Sequence, residues 1–82
     1  MKNDGEMEYK SRDLGECGAL VTSGQKVINI QRDGKIVWFV FEHTEECENV
    51  SREYFFGSLK GDLHKYNEAM NTLKNCIYSY IR

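Results

Sequence analysis

A chain of 82 residues and 9.6 kDa, 40% apolar, 29% charged and with a formal charge of -2, has the size of one small domain. Its longest uninterrupted apolar run, Ile36 to Phe41, is six residues, against the roughly 18 to 20 that a spanning helix needs, so no membrane span is expected. The opening Met1-Lys2-Asn3-Asp4-Gly5-Glu6 has no apolar stretch behind its lysine, so no secretory signal is expected and a cytoplasmic location is the default.

Residues 1–6 are polar and read as a flexible N-terminus, with 7–82 forming a single domain. Met7-Glu8-Tyr9-Lys10 alternates apolar and charged residues, the period of a short strand. Ser11 or Asp13 then caps a helix expected over 12–23, and Asp13 with Glu16 has the spacing of a capping box. Leu14, Cys17, Leu20 and Val21 line one face of that helix, and Gly24 ends it.

The strongest local signal is a hairpin, Lys26 to Arg32 and Lys35 to Glu42 around Asp33-Gly34, read as a type I′ turn. Pairing Arg32 with Lys35 places Ile30 opposite Val37 and Ile28 opposite Phe39. The core side then carries Ile28, Ile30, Val37, Phe39 and Phe41. The other side carries Val27, Asn29, Gln31, Ile36, Trp38 and Val40, half of them apolar, and a cover for it is expected.

Thr44, followed by Glu45, Glu46 and Glu48, reads as the cap and acidic first turn of a second helix that stops near Gly57, with Cys47, Val50 and Tyr54 on its buried stripe. After a loop over 58–62, Asp62 caps a last helix in which Leu63, Tyr66, Met70, Leu73, Ile77 and Tyr80 recur at alternating spacings of three and four. That seam either packs on the hairpin or zips to a second copy. The fold class is α+β, a small single domain in the order (β)-α-β-β-α-α, an antiparallel hairpin sheet packed by helices. A lone hairpin is marginal in water, so a third strand from 7–10, or an edge shared across a dimer, must complete the sheet.

Taken together, Tyr9-Lys-Ser-Arg-Asp13-Leu14, a helix ending at Gly24, Trp38-Phe-Val-Phe41, and Asp62-Leu-His-Lys-Tyr66 leading to Leu73-Lys74 form a pattern that resembles the DUF5659 family of small prokaryotic proteins of unknown function. The resemblance spans about residues 9 to 78 and departs from the family at the polar extension before Met7 and at Gly18. It implies a compact α+β domain of a bacterium, archaeon or mobile element, and it carries over no catalytic residue.

The chemistry-bearing residues have simpler readings. Cys17, Cys47 and Cys76 are odd in number with no C-x-x-C, so they read as reduced, buried thiols. His43 and Cys47 lie four apart on one helix face, but two ligands do not make a closed metal site, so no metal and no cofactor are expected. The acids Glu42, Glu45, Glu46, Glu48 and Glu53 compensate a helix dipole, or present an acidic surface able to inhibit a host or phage enzyme.

The expectation is a non-enzymatic protein-interaction or regulatory module of a bacterium or its phage. It would act as a homodimer or with one protein partner through Val27, Ile36, Trp38 and Val40, with Tyr78 and Tyr80. The alternative is a nucleic-acid-binding accessory protein of a mobile element using Lys26, Arg32, Lys35, Lys65 and Lys74. The segment 60–82 carries a net charge of +2 in its support, while the acidic balance of the chain opposes it.

Overall fold

The computed structural model describes residues 8–81. The elements are β1 (Glu8–Ser11), α1 (Leu14–Thr22), β2 (Val27–Asp33), β3 (Ile36–Glu42), α2 (Glu45–Phe56) and α3 (Leu63–Ile81), an α+β domain in the expected order. The polar N-terminus read over 1–6, and Met7 at the start of the first strand, lie outside the described residues.

The three strands form an antiparallel sheet in the order β1-β3-β2. Six consecutive apolar residues suit a strand bordered on both edges, and β3 holds that place. β1 borders it by pairing Tyr9 with Phe41 and Ser11 with Phe39. The third strand that a hairpin needs is thus supplied from within the chain.

The hairpin register differs from the expected one. Asp33 pairs with Ile36 and Arg32 with Val37, which leaves Gly34-Lys35 as the two turn residues. Gly34 has φ 63°, and among the described residues no non-glycine residue has positive φ. A left-handed residue only at the first central position is the type II′ pattern. A type I′ turn at Asp33-Gly34 would have put a residue with a Cβ in that region, and sliding the turn by one position gives the strained place to glycine. The slide preserves the alternation of faces, so Ile30 still faces the core, opposite Phe39 in place of Val37.

A bulge reverses two further assignments. The ladder steps from Val27 opposite Phe41 to Asn29 opposite Val40, so Ile28 has no place in it. Val27 packs against the core, and Ile28, expected inside, is exposed. One extra residue inverts the facing of everything on one side of it, a change the alternating pattern does not encode.

Cys17 and Leu20 of α1, Val37, Phe39 and Phe41 of β3, Cys47 and Val50 of α2, and Leu73 of α3 form one buried cluster. All three helices therefore lie on one side of the sheet. The expected cover over the other side is not formed by any described helix. Val40 is nevertheless 0% exposed at the sheet centre, between its cross-strand partners Lys10 and Asn29. Trp38 is half-buried there, with the Arg12 guanidinium 5.8 Å from its ring centroid, a cation–π contact.

The seam of α3 is used inside the molecule. Tyr66 and Met70 meet α1, Leu73 and Ile77 join or pack against the core cluster, and Gly18 permits the approach of α1: a Cβ there would lie 2.6 Å from Met70 Sδ and 3.1 Å from Tyr66 Cε1. Gly15 stands in the same relation to α2, where a Cβ would overlap the Tyr54 hydroxyl and lie 2.9 Å from its Cζ. Gly15→Ala is expected to destabilise the protein by about 1–3 kcal/mol in urea unfolding through overpacking, even though alanine gains roughly 1 kcal/mol of helix propensity. A stabilised variant would show that α1 and α2 are not packed this closely.

Candidate functional site

The most unusual surface lies at the corner where α2 ends and α3 begins. At the end of α2, Ser58 N–H donates to the Glu53 carbonyl and Gly57 N–H to the Tyr54 carbonyl, closing the helix. Asp62 then starts α3 by accepting from the N–H groups of His64 at 2.8 Å and Lys65 at 3.2 Å. Between the second half of α1, this loop and the first turn of α3 is a cavity of about 260 Å³, lined mainly by Ala19, Thr22, Tyr54, Leu59, Leu63 and Tyr66. Tyr66 donates its hydroxyl to the Gly15 carbonyl at 3.3 Å, and Thr22 donates to the Gly18 carbonyl at 2.7 Å. What remains toward the opening is largely apolar.

Three large apolar residues next to this loop in the chain are exposed, Phe55 (60%) and Phe56 (80%) in the last turn of α2 and Leu63 (82%) at the start of α3. Each forgoes most of the roughly 1.5–3 kcal/mol that full burial would contribute. The Phe55 ring meets the Tyr54 ring edge-on at 5.0 Å. The sequence reading assigned no role to Phe55 or Phe56 and placed Leu63 at the head of a buried seam. Helical phase contained a signal for Phe56: two positions after Tyr54, it falls on the side of α2 away from the Cys47-Val50-Tyr54 stripe.

The residues expected to contact a partner do not form one surface. Val40 is buried and Val27 faces the core, so neither is available. Ile36 is partly exposed, and it shares the open sheet face with Trp38. Tyr78 and Tyr80 are exposed near the end of α3. Arg32, on the helix-bearing face opposite Val37, donates to the Tyr80 carbonyl at 2.6 Å. The end of α3 therefore lies on the other side of the sheet from Trp38.

The basic set is dispersed as well. Lys26 and Lys35 flank the two ends of β2, a seven-residue strand, roughly 20 Å apart at the rise of a strand. Lys65 and Lys74 are nine residues apart on α3, about two and a half turns, which puts them on opposite sides of the helix. Arg32 also donates to the Gly34 carbonyl at 2.6 Å. These five cations share no groove along which a phosphate backbone could run.

The pair His43 and Cys47 is divided between two environments. His43 Nε2 lies 2.7 Å from Glu48 Oε2, and its ring stacks on Tyr9 with centroids 6.0 Å apart. Cys47 is buried, its thiol directed at the Glu42 carbonyl at 3.4 Å and at Gln25 Oε1 at 3.6 Å. Among the described residues no three His, Cys, Asp or Glu side chains converge as metal ligands.

Sequence reasoning assigned Glu16 to a cap, and the structure gives it another place. Asp13 Oδ1 does accept from Glu16 N–H at 2.9 Å, but the Asp13 N–H donates to Ser11 Oγ at 3.1 Å, so the box is half formed. The Glu16 carboxylate turns inward, only 6% exposed, and accepts from Tyr9 and Ser11 hydroxyls at 2.5 Å and from Ser51 at 2.6 Å. Three donors from β1 and α2 satisfy a charge removed from water, as burial requires. No cavity opens on this group, and the arrangement joins elements together.

The same environment moves two neighbours. Burial foremost, with the Glu16 hydrogen bond second, pushes the Tyr9 phenol up to about 12 from 10.0. Burial raises the Cys17 thiol from 9.0 to about 11, opposed by its hydrogen bond to Ser11. Burial, then the neighbouring Tyr66, also holds the Tyr54 phenol above its ordinary value.

No protein-family model, no curated protein and no solved structure matches this chain.

Tyr9, Cys17 and Tyr54 are neutral in the fold at pH values where the unfolded chain ionises them, so the unfolded state binds fewer protons and stability must fall as pH rises. The loss should begin near pH 9 with Cys17 and continue to about 12 with Tyr9. Urea midpoints across this range check it, and Cys17→Ala should remove the earlier part. Glu16→Leu, which leaves three hydroxyls without their acceptor, is expected to cost at least about 3 kcal/mol in the same assay.

Proposed function

We propose that the chain is a non-enzymatic protein-interaction module of a regulatory kind, and that it meets its partner at the corner between α2 and α3. The supporting observation is the exposure of Phe55 and Phe56 in the last turn of α2 and of Leu63 at the start of α3, where Leu63 also lines an apolar cavity. Scattered apolar residues on a surface need no explanation, whereas several large ones grouped around a concavity mark contact sites. The enrichment of aromatic anchors in the centres of interfaces supports the same reading. The dispersal of Lys26, Arg32, Lys35, Lys65 and Lys74 weighs against the nucleic-acid alternative. A bacterial or phage setting is part of the proposal, and the reading invokes no cofactor.

The test places a photo-crosslinking amino acid at position 56, and separately at Asn75, exposed further along α3, in cells producing the protein. Irradiation should yield a protein adduct from position 56 and none from position 75. Absence of any protein adduct from positions 55, 56 and 63 would remove the corner as a contact surface.

A further inference from the structure

We infer that Asn29 closes the open edge of the sheet: its side-chain carbonyl occupies the outward N–H of Ile30 and so keeps β2 of one copy from pairing with β2 of another. The inference is independent of the corner between α2 and α3.

The edge is open by topology. In the order β1-β3-β2, each outer strand has a side with which no described strand pairs. β1 is four residues long and carries Glu8 and Lys10, a short charged edge of the kind that resists strand addition. β2 is seven residues long and begins with an uncharged stretch containing Val27, Ile28 and Ile30, a composition with which another strand readily pairs. A charged side chain is the common guard of such an edge, and Arg32 is placed in sequence to be one. Its guanidinium is instead held by the Gly34 and Tyr80 carbonyls, each at 2.6 Å, on the helix-bearing face.

The register shows which groups face outward. In a two-residue hairpin the residues flanking the turn bond each other, and bonded and unbonded pairs alternate from there. Asp33, Gln31 and Asn29 therefore spend backbone groups on β3, whereas Arg32 and Ile30 direct theirs away from it. The Ile30 N–H is met by Asn29 Oδ1 at 2.8 Å. Asparagine is depleted in strands, and at this position it has a use. The donor that an incoming strand must bond is already satisfied, and the bulge at Ile28 ends the regular ladder beside it.

The occupant kept out is a second β2. An antiparallel pair centred on Gln31 would set Ile30 of each copy opposite Arg32 of the other. That register engages the outward N–H and carbonyl of both residues and puts no two like charges directly opposite. A two-fold axis generates it, so the strand is complementary to itself.

Hydrogen exchange and sedimentation velocity on Asn29→Val test the inference. Valine removes the acceptor, suits a strand better and keeps a branched side chain across from Val40. At micromolar concentration the Ile30 amide should exchange roughly five- to tenfold faster than in the wild type, the factor of one ordinary hydrogen bond. Asn29→Asp, which retains an acceptor, should keep the wild-type rate. Toward millimolar concentration Asn29→Val should associate at least about tenfold more tightly than the wild type, and its Ile30 and Arg32 amides should then slow together. If Asn29→Val fails to fold, Asn29→Ala reads the same amide and the same association. An Ile30 amide indifferent to loss of the acceptor overturns the inference, as does a variant that associates no more tightly than the wild type. Association that leaves the Arg32 amide exchanging freely overturns it too, because another surface is then in use.

Discussion

Strand β3 must be bordered on both edges, and most of the structure follows from that requirement. Its run from Ile36 to Phe41 has too little polarity for a strand with an open edge, where unpaired backbone groups beside apolar side chains invite other chains. β2 covers one edge through the hairpin. β1 covers the other from the far end of the sequence, and only four residues pair there. Such a short strand needs a second hold, which Glu16 provides by accepting hydrogen bonds from Tyr9 and Ser11 of β1 and from Ser51 of α2. The buried carboxylate is a fastener between three elements. Removing the acceptor would strand the donors in a place where water does not replace it.

Close helix packing sets the rest. Gly15 and Gly18 let α1 sit against Tyr54 of α2 and against Tyr66 and Met70 of α3. Alanine at either position would favour an isolated helix and obstruct this packing, which is the physical cause of a glycine at Gly18. The middle of the α3 seam is consumed by α1, and the seam is therefore not the free zipper its spacing suggested. Its ends overshoot the partner helix. Leu63 emerges at one end and Tyr80 at the other.

The corner between α2 and α3 is the surface remainder of that packing. α2 must end at Gly57 for the chain to turn back, and Phe55 and Phe56 fall in its last turn with no element left to cover them. A chain of this size has too little interior to enclose every large apolar side chain. Much of the surplus, Phe55, Phe56 and Leu63, falls where α2 gives way to α3, while Ile28, Ile36, Tyr78 and Tyr80 are exposed elsewhere. The sheet face with Trp38 is different in kind. Val40 is already shielded by its own strands, and Arg12 lies over the Trp38 ring.

The elements and their order were legible in the chain, because caps, turn glycines and apolar periods act over a few residues. Asp13, Thr44 and Asp62 start the helices that the pattern assigned to them, and the stripe of Cys47, Val50 and Tyr54 turns inward. What depends on residues far apart in the chain was settled by the packing of the folded molecule. The bulge at Ile28 settles which side chains of β2 are inside, exchanging Val27 for Ile28, and the type II′ slide at Gly34 settles which residues they pair with. The inward turn of Glu16 depends on β1 and α2, and the use of the α3 seam depends on two glycines of α1. The corner emerged last, because exposure is what remains after every other face has found its neighbour, and the helical phase of Phe56 was its one local signal.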